Sequence, residues 1–484
     1  LMIDPTCGVI YDERSKEYTK LMRLGNEGRS TATTVLSHSV IGKLTEQGVG
    51  DQRNKLLSFT DNRQDASLQA GHFNDWITTI KLRAAIQRAV ANAGADGLRI
   101  ETLPDKVFEQ LGLNESEYAR HPAPDPSWPD EDNVRALKDY LLVRTVYDLK
   151  RGWRYNTPNL EQCALLAVEY HKLEEFCAID RFFAGLPLLQ SMAAEERATI
   201  LHQVLDFFRT SYALAHFKLD QDRATTESFI KDHLDQGKPW ALEREERVDI
   251  PYYLSVDPVR KTGNGRYFAS MGPRSYLGRY FKKMFKANGL GTPKEVETIE
   301  FLKQLADLLH TGHFLTKDEV PLQGTPQTGY RLRLDKVIWK PGDRKRVTQD
   351  RVRIRTSQEL EVKPNTFFQR LYEDALKDQA QIIGREHTAQ INSGLRVERE
   401  KDFREGKVKA LFCSPTMELG IDIAELNVVH MRNVPPNPAN YAQRSGRAGR
   451  SGQTALVFTY CSGVSPHDRN YFKNKMDMVG GQVT

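Results

Sequence analysis

The chain has 484 residues, with 69 Lys+Arg against 64 Asp+Glu and hydrophobic and charged fractions of 39% and 27%. That length makes two or three domains, each able to bury its own core, and the balance is that of a globular protein. No run approaches the roughly 18 apolar residues of a membrane span, so membrane proteins are excluded.

Leu-Met-Ile-Asp-Pro-Thr at the start has no basic residue before an apolar run, so no secretory signal is expected. Residue 1 is not Met, and the expectation is a piece of a longer product. Cys7, Cys163, Cys177, Cys413 and Cys461 are scattered, with no C-x-x-C pair. Neither a disulfide framework nor a cysteine zinc site is readable, and a reducing, cytoplasmic setting is expected.

In chain order, Val9-Ile-Tyr-Asp-Glu13 imitates the strand and acid of a Walker B segment but has no P-loop before it, and we read it as a decoy. A strand is predicted at 55–59, then a long helix at 63–93, with Phe73, Trp76, Ile77, Ile80 and Ala84 on one stripe and Gly94 as its stop. The stretch 101–135 has nine acids against Lys106, Arg120 and Arg135. Its proline-dense 121–129 forbids helix or central strand, so an exposed connection is expected there. A largely helical block follows over 133–235.

Two later stretches are basic. Residues 256–291 hold eight bases against Asp257, and 329–355 hold ten against three acids. Sequence-independent phosphate binding has this composition, and so does a solvated face. A helix at 296–309, the turn His310-Thr-Gly-His313 and the alternating 330–339 have the order of a winged helix. After Pro364 short apolar strands at 409–413, 427–431 and 454–460 alternate with helices, which predicts a parallel sheet with covered faces.

The strongest chemical signal is Tyr441-Ala-Gln-Arg-Ser-Gly-Arg-Ala-Gly-Arg450. Arginines every third residue bring several guanidinium forks to one face, and glycines let the main chain approach a ligand, for which a polyphosphate is the natural partner. Upstream stands Leu411-Phe-Cys-Ser-Pro-Thr-Met-Glu-Leu-Gly-Ile-Asp-Ile423, a buried strand leading to Gly-Ile-Asp. Before it come Arg396 to Gly406, an amphipathic helix closed by glycine, and Glu386-His-Thr-Ala-Gln390. The first strand supplies Leu56-Leu-Ser-Phe-Thr-Asp-Asn-Arg-Gln-Asp65.

Together these segments resemble the C-terminal RecA-like lobe of superfamily 2 helicases of the DEAD/DEAH type. Phe59 to Asp65 looks like motif IV, Ser414 to Asp422 like motif V, and Gln443 to Arg450 matches motif VI without a departure. The wording is most like that of large bacterial helicases of the Lhr and MrfA types, a group that includes the DISARM phage-defence helicase and other defence-island helicases.

The resemblance implies that Arg447 and Arg450 act as arginine fingers on the ATP γ-phosphate. It also implies that Gln443, Arg444, Gly420 and Asp422 serve nucleotide and interlobe contacts. Arg63, Ser414 and Thr416 would then face the bound nucleic-acid strand. ATP with Mg2+ would be bound mainly by an N-terminal RecA-like lobe missing from this chain. The expected partners are DNA before RNA, that first lobe and defence-system or repair proteins, with no membrane.

A usual second lobe runs from motif IV to motif V in under about a hundred residues, whereas Phe59 and Ser414 are 355 apart here. The implied organisation is a linking segment 1–50, the lobe's first part at 51–94, a mainly helical insertion with basic segments at 95–362, and the lobe's second part at 363–484. Joining the two lobe parts leaves about 160 residues, a workable domain size.

The nearest imitation of a P-loop, Gly25-Asn-Glu-Gly-Arg-Ser30, lacks both the lysine and the spacing. Phosphoryl transfer needs phosphate-binding loop and arginines together, so the chain by itself is expected to be inactive. The alternative is a non-catalytic nucleic-acid-binding scaffold that retains a helicase lobe. A hydrolase or nuclease with its own site finds little support, because His310, His313 and His387 stand isolated.

Overall fold

The structure is a computed structural model that describes the chain except residues 1, 4–9, 12–25, 51, 155–156, 259–267, 323–324, 354–362, 377–381, 415–425, 450–453 and 482–484. Two compact units emerge: Met22–Thr79 with Asp378–Thr484, and Leu1–Leu21 with Ile80–Lys377.

The first unit is built on a five-stranded sheet ordered Gly384–His387, Ala410–Cys413, Leu56–Phe59, Val428–Met431, Leu456–Thr459. Every neighbouring pair is parallel. The strand Leu56–Phe59 is central: Leu56 lies opposite Ala410 on one side and Val428 on the other. Strands buried on both faces read as continuous apolar runs, and Leu56–Phe59, Ala410–Cys413 and Val428–Met431 are buried at every position.

On one face Leu57, Phe59, Leu411, Cys413, Val429 and Met431 pack with Phe403 of the helix Ser393–Arg404. On the other face Phe412 meets Phe73 of the long helix, ring centres 5.7 Å apart. A Cβ on Gly384 would come within 2.8 Å of that Phe73 ring, so only glycine lets the outer strand lie this close. Asn74 pins the same strand, accepting from the Gly384 N–H at 2.8 Å and donating to its carbonyl at 2.9 Å.

The predicted strands and long helix appear within a residue or two of their expected bounds. Arg63–Ala93 stops at Gly94, whose φ of 64° is left-handed. The stretch 1–50, expected as a link, contains the 21-residue helix Asn26–Glu46. Thr34 bonds His72 at 3.0 Å and His38 meets Trp76 edge-on, so this helix packs against the long one. Ile10–Tyr11, inside the Walker B imitation, pairs antiparallel with Met2–Ile3, apart from the parallel sheet.

In the second unit helices carry most of the regular structure, but two sheets join them. Val337–Pro341 sits between Leu98–Arg99 and Leu166–Tyr170, antiparallel to both. A five-stranded mixed sheet is centred on Thr325–Arg333, which forms a hairpin with Leu315–Leu322. The alternating stretch 330–339, expected as one ribbon, is cut by a 3-10 turn at Leu334–Lys336 and shared between the two sheets. Its alternation comes from burial in two different sheets, a distinction that period alone cannot make. A helix, Glu295–Thr311, does precede the hairpin.

The proline-dense 121–129 contains no helix or strand, and Trp128 there is 80% exposed. Its flanks are helical, at Leu103–Leu111 and Glu131–Asp148.

Candidate functional site at the carboxyl ends of the sheet

In a parallel sheet every strand ends on the same side, so the loops leaving those ends converge. Main-chain bonds carry the ladder one step beyond the strands: Thr60 N–H donates to Cys413 at 2.9 Å, Arg432 N–H to Phe59 at 2.9 Å and Tyr460 N–H to Met431 at 2.9 Å. This registers the segments that follow three different strands.

After the central strand, the Thr60 hydroxyl lies 2.9 Å from the Asn62 carbonyl and 3.1 Å from that of Cys413, tying its loop to the neighbouring strand. The Asn62 side chain accepts from the Asp65 N–H at 2.8 Å and starts the long helix as a cap. Arg63, in the first turn, is exposed to solvent. Ser414 ends the adjacent strand and is buried, its N–H donating to the His387 carbonyl at 3.3 Å.

The helix Pro438–Ser445 is capped by Asn437 and carries Gln443, half-buried, and Arg444, buried with its guanidinium 5.6 Å from the Phe59 ring centre. Past its end Gly449, with φ of 71°, donates to the Leu426 carbonyl at 3.0 Å. Arg447 is half-buried, and its positive charge opposes the burial that pushes the Cys413 thiol up. Gly420, Asp422, Thr416 and Arg450 lie outside the described residues.

Sequence reasoning missed a second layer. Arg432, directly after Val428–Met431, is buried and reaches Asp65 at 2.9 Å, Gln69 at 3.2 Å and Ser30 at 3.1 Å. Burial lowers its guanidinium pKa and Asp65 opposes the fall. Arg29 stands 3.6 Å from Asp61. The available signal was an arginine right at a strand's carboxyl end, but its partners come from two distant helices.

His387, buried, bonds Glu400 at 2.8 Å, while His310 Nδ1–H donates to the Leu315 carbonyl at 3.0 Å. Both hold structure together. Among the described residues no cluster of His, Cys, Asp and Glu could hold a metal ion, and no helix is long and apolar enough to cross a membrane.

Residues 355–452 match the model of the helicase conserved C-terminal domain. The central strand and the long helix lie outside that match, earlier in the chain. The Druantia protein DruE of Escherichia coli (strain UMEA 4076-1) is 38% identical over 74 residues, 15% of this chain and only 4% of that protein. Among solved structures, the chain overlaps S. cerevisiae Dbp5 bound to RNA and ADP BeF3 at 22% identity and TM-score 0.19, covering 24% of this chain and 30% of that one. It overlaps Mycobacterium smegmatis helicase Lhr bound to ssDNA and AMP-PNP at 21% identity and TM-score 0.20, covering 25% and 15%. Residues 355–452 are therefore similar to a helicase C-terminal domain, and three strands of the parallel sheet, Gly384–His387, Ala410–Cys413 and Val428–Met431, lie within that match.

Proposed function

We propose that this chain is the second motor lobe, with a large inserted domain, of a superfamily 2 ATP-dependent nucleic-acid helicase or translocase. The lobe would comprise 51–94 and 363–484, and the insertion 95–362. The observation that carries this reading is the convergence of segments 60–63, 414, 432 and 443–447 on one edge of a sheet of which three strands lie within the match to the helicase domain.

The donor set suits a polyphosphate. Between residues 434 and 453 there is no Asp or Glu, while Gln443, Arg444, Arg447 and Arg450 offer amide and guanidinium donors. Arg447 and Arg450 would stabilise charge on the γ-phosphate. ATP supplies the transferable phosphoryl group when bound, with Mg2+, mainly by a first lobe. Arg63, Ser414 and Thr416 would face the nucleic acid, with DNA the expected substrate. A role in phage defence or DNA repair follows from the wording of the motifs. A binding-only scaffold would have no use for the arginine set.

The test is to supply a first lobe carrying P-loop and Walker B and to measure nucleic-acid-stimulated ATP hydrolysis. Turnover should appear only in the combination, and Arg447→Ala should lower it about a thousandfold or more, the usual worth of an arginine finger. Unchanged turnover in that variant sinks the assignment.

A further inference from the structure

The helix Tyr276–Ala287 in the second unit holds Arg279, Lys282, Lys283 and Lys286 and no acid. Among the described residues none of these four pairs with a carboxylate, although ion pairs are common elsewhere in the unit. A solvated helix face ordinarily interleaves acids at i,i+4 spacing. Arg279, Lys283 and Lys286 are exposed and follow each other at steps of four and three, so they share one face.

The helix is held firmly from behind. Leu277, Gly278 and Phe281 are buried, and Phe281 and Phe285 pack on Phe301 with ring centres 4.9 and 5.0 Å away. The Ser275 hydroxyl caps its first turn at 3.1 Å, and the Tyr280 hydroxyl donates to Gln203 at 2.7 Å. A Cβ on Gly278 would meet the Pro273 backbone at 2.7 Å, so the first turn is pressed onto the preceding chain.

The next elements have the opposite character. On Glu295–Thr311 the exposed charges Glu295, Glu297 and Glu300 are acidic, and the hairpin strand Leu315–Leu322 holds Asp318 and Glu319 against Lys317. These surfaces repel phosphate.

We infer that the Arg279, Lys283, Lys286 face docks the sugar–phosphate backbone of duplex nucleic acid, while the following helix and hairpin stay off the phosphates. This deepens the helicase reading and rests on it. At 1.5 Å per residue the stripe is about 10 Å long, and each strand of a duplex presents a phosphate about every 3.4 Å of helix axis, so a stripe laid along that axis spans about three of them. A preset row of cations suits the fixed spacing of a duplex. Single-strand sites add aromatic platforms, and here Phe281 and Phe285 are engaged in packing.

The experiment measures affinity of the full chain for duplex DNA, duplex RNA and single-stranded oligo-dT of equal length across a salt series. The triple variant Arg279→Gln, Lys283→Gln, Lys286→Gln should lower the duplex salt slope by about 2 to 3 and duplex affinity on the order of a hundredfold at 0.1 M salt, with the single strand much less affected. Lys283→Arg with Lys286→Arg should keep the slope. Neutralising Glu295, Glu297 and Glu300 should leave or strengthen duplex binding.

A triple variant with an unaltered duplex slope, beside a wild type that still binds oligo-dT, overturns this face and leaves the helicase reading standing. A wild type that binds no nucleic acid overturns both. Loss confined to one of the two duplexes identifies which backbone is docked.

Discussion

The two units bury arginine for different reasons. In the second unit Arg83, Arg144, Arg197, Arg209 and Arg353 are all buried. Arg197 donates to the carbonyls of Leu189, Cys177 and Gln190, and Arg83 to those of Thr157 and Pro158. The Cys177, Leu189 and Gln190 carbonyls lie at the ends of short helices and those of Thr157 and Pro158 in irregular chain, and a buried carbonyl must be paired. Five donors on one planar fork meet that need.

In the first unit strands satisfy one another, and the interior hydrogen bond between Ser58 and His430, 2.9 Å, is uncharged. Buried arginine appears there at Arg432 and Arg444, just where the ladder ends. Arg83 and Arg197 thus serve chain where regular pairing ends, whereas Arg144 and Arg209 pair with the carboxylates of Glu246 and of Glu161 and Asp206; a buried arginine marks a candidate site only where loops also converge.

This contrast can be broken most sharply at Arg83, whose Nε bonds Asp148 at 2.9 Å and whose Nη1 bonds Thr157 at 2.7 Å and Tyr372 at 3.0 Å. Arg83→Ala leaves Asp148 buried without its cation and should cost about 3–5 kcal/mol in urea unfolding of the second unit. A cost under about 1 kcal/mol would show that the clamp is replaceable and end the contrast.

Next in size is the acid response of the first unit. Burial, aided by the Arg432 charge, lowers the His430 pKa to about 3, against about 6.5 in an unfolded chain. Below about 6.5 the unfolded state takes a proton that the folded state refuses, so stability is lost as pH falls towards 3. Between pH 7.5 and pH 5 the loss is about 2 kcal/mol. Denaturation at both pH values should show it in the wild type and not in His430→Asn; equal losses in both remove His430 as the cause.

The smallest effect has the opposite sign and sits in the second unit. Both ring nitrogens of His202 face acceptors, Asp206 at 3.2 Å and the Val168 carbonyl at 2.8 Å. Burial alone would depress the ring, but Asp206 and Val168 outweigh burial and the opposing Arg209 charge, and its pKa is raised. That stability is fully present below the unfolded value and lost as pH rises through the folded one. His202→Gln should flatten this alkaline decline, seen as a smaller drop in melting temperature above neutrality; an unchanged decline assigns it elsewhere.

The elements that carry the candidate site were legible where their signals are local. Asn62 caps a helix, Gly94 ends it, and Asn437 and Pro438 open the helix bearing Gln443 and Arg444, all within a few residues of chain. The Arg432 network was not legible, because Ser30, Asp65 and Gln69 are polar residues with many uses until a fold sets them beside one guanidinium. The mixed sheet of the second unit escaped for a related reason: its short strands, such as Leu214–Ala215 and Tyr253–Ser255, are too brief to show a period.

By itself the sequence determined the strands of the parallel sheet near 55–59, 409–413, 427–431 and 454–460, the long helix 63–93 and which residues form the arginine-rich turn, since propensity, capping and hydrophobic period act over a few residues. Only the tertiary structure decided that Leu56–Phe59 occupies the centre of the sheet, between strands that follow it by some 350 residues. Strand order carries no local signature. It is set by which apolar faces can be covered together and which main-chain groups are left to pair, and those are properties of the assembled sheet.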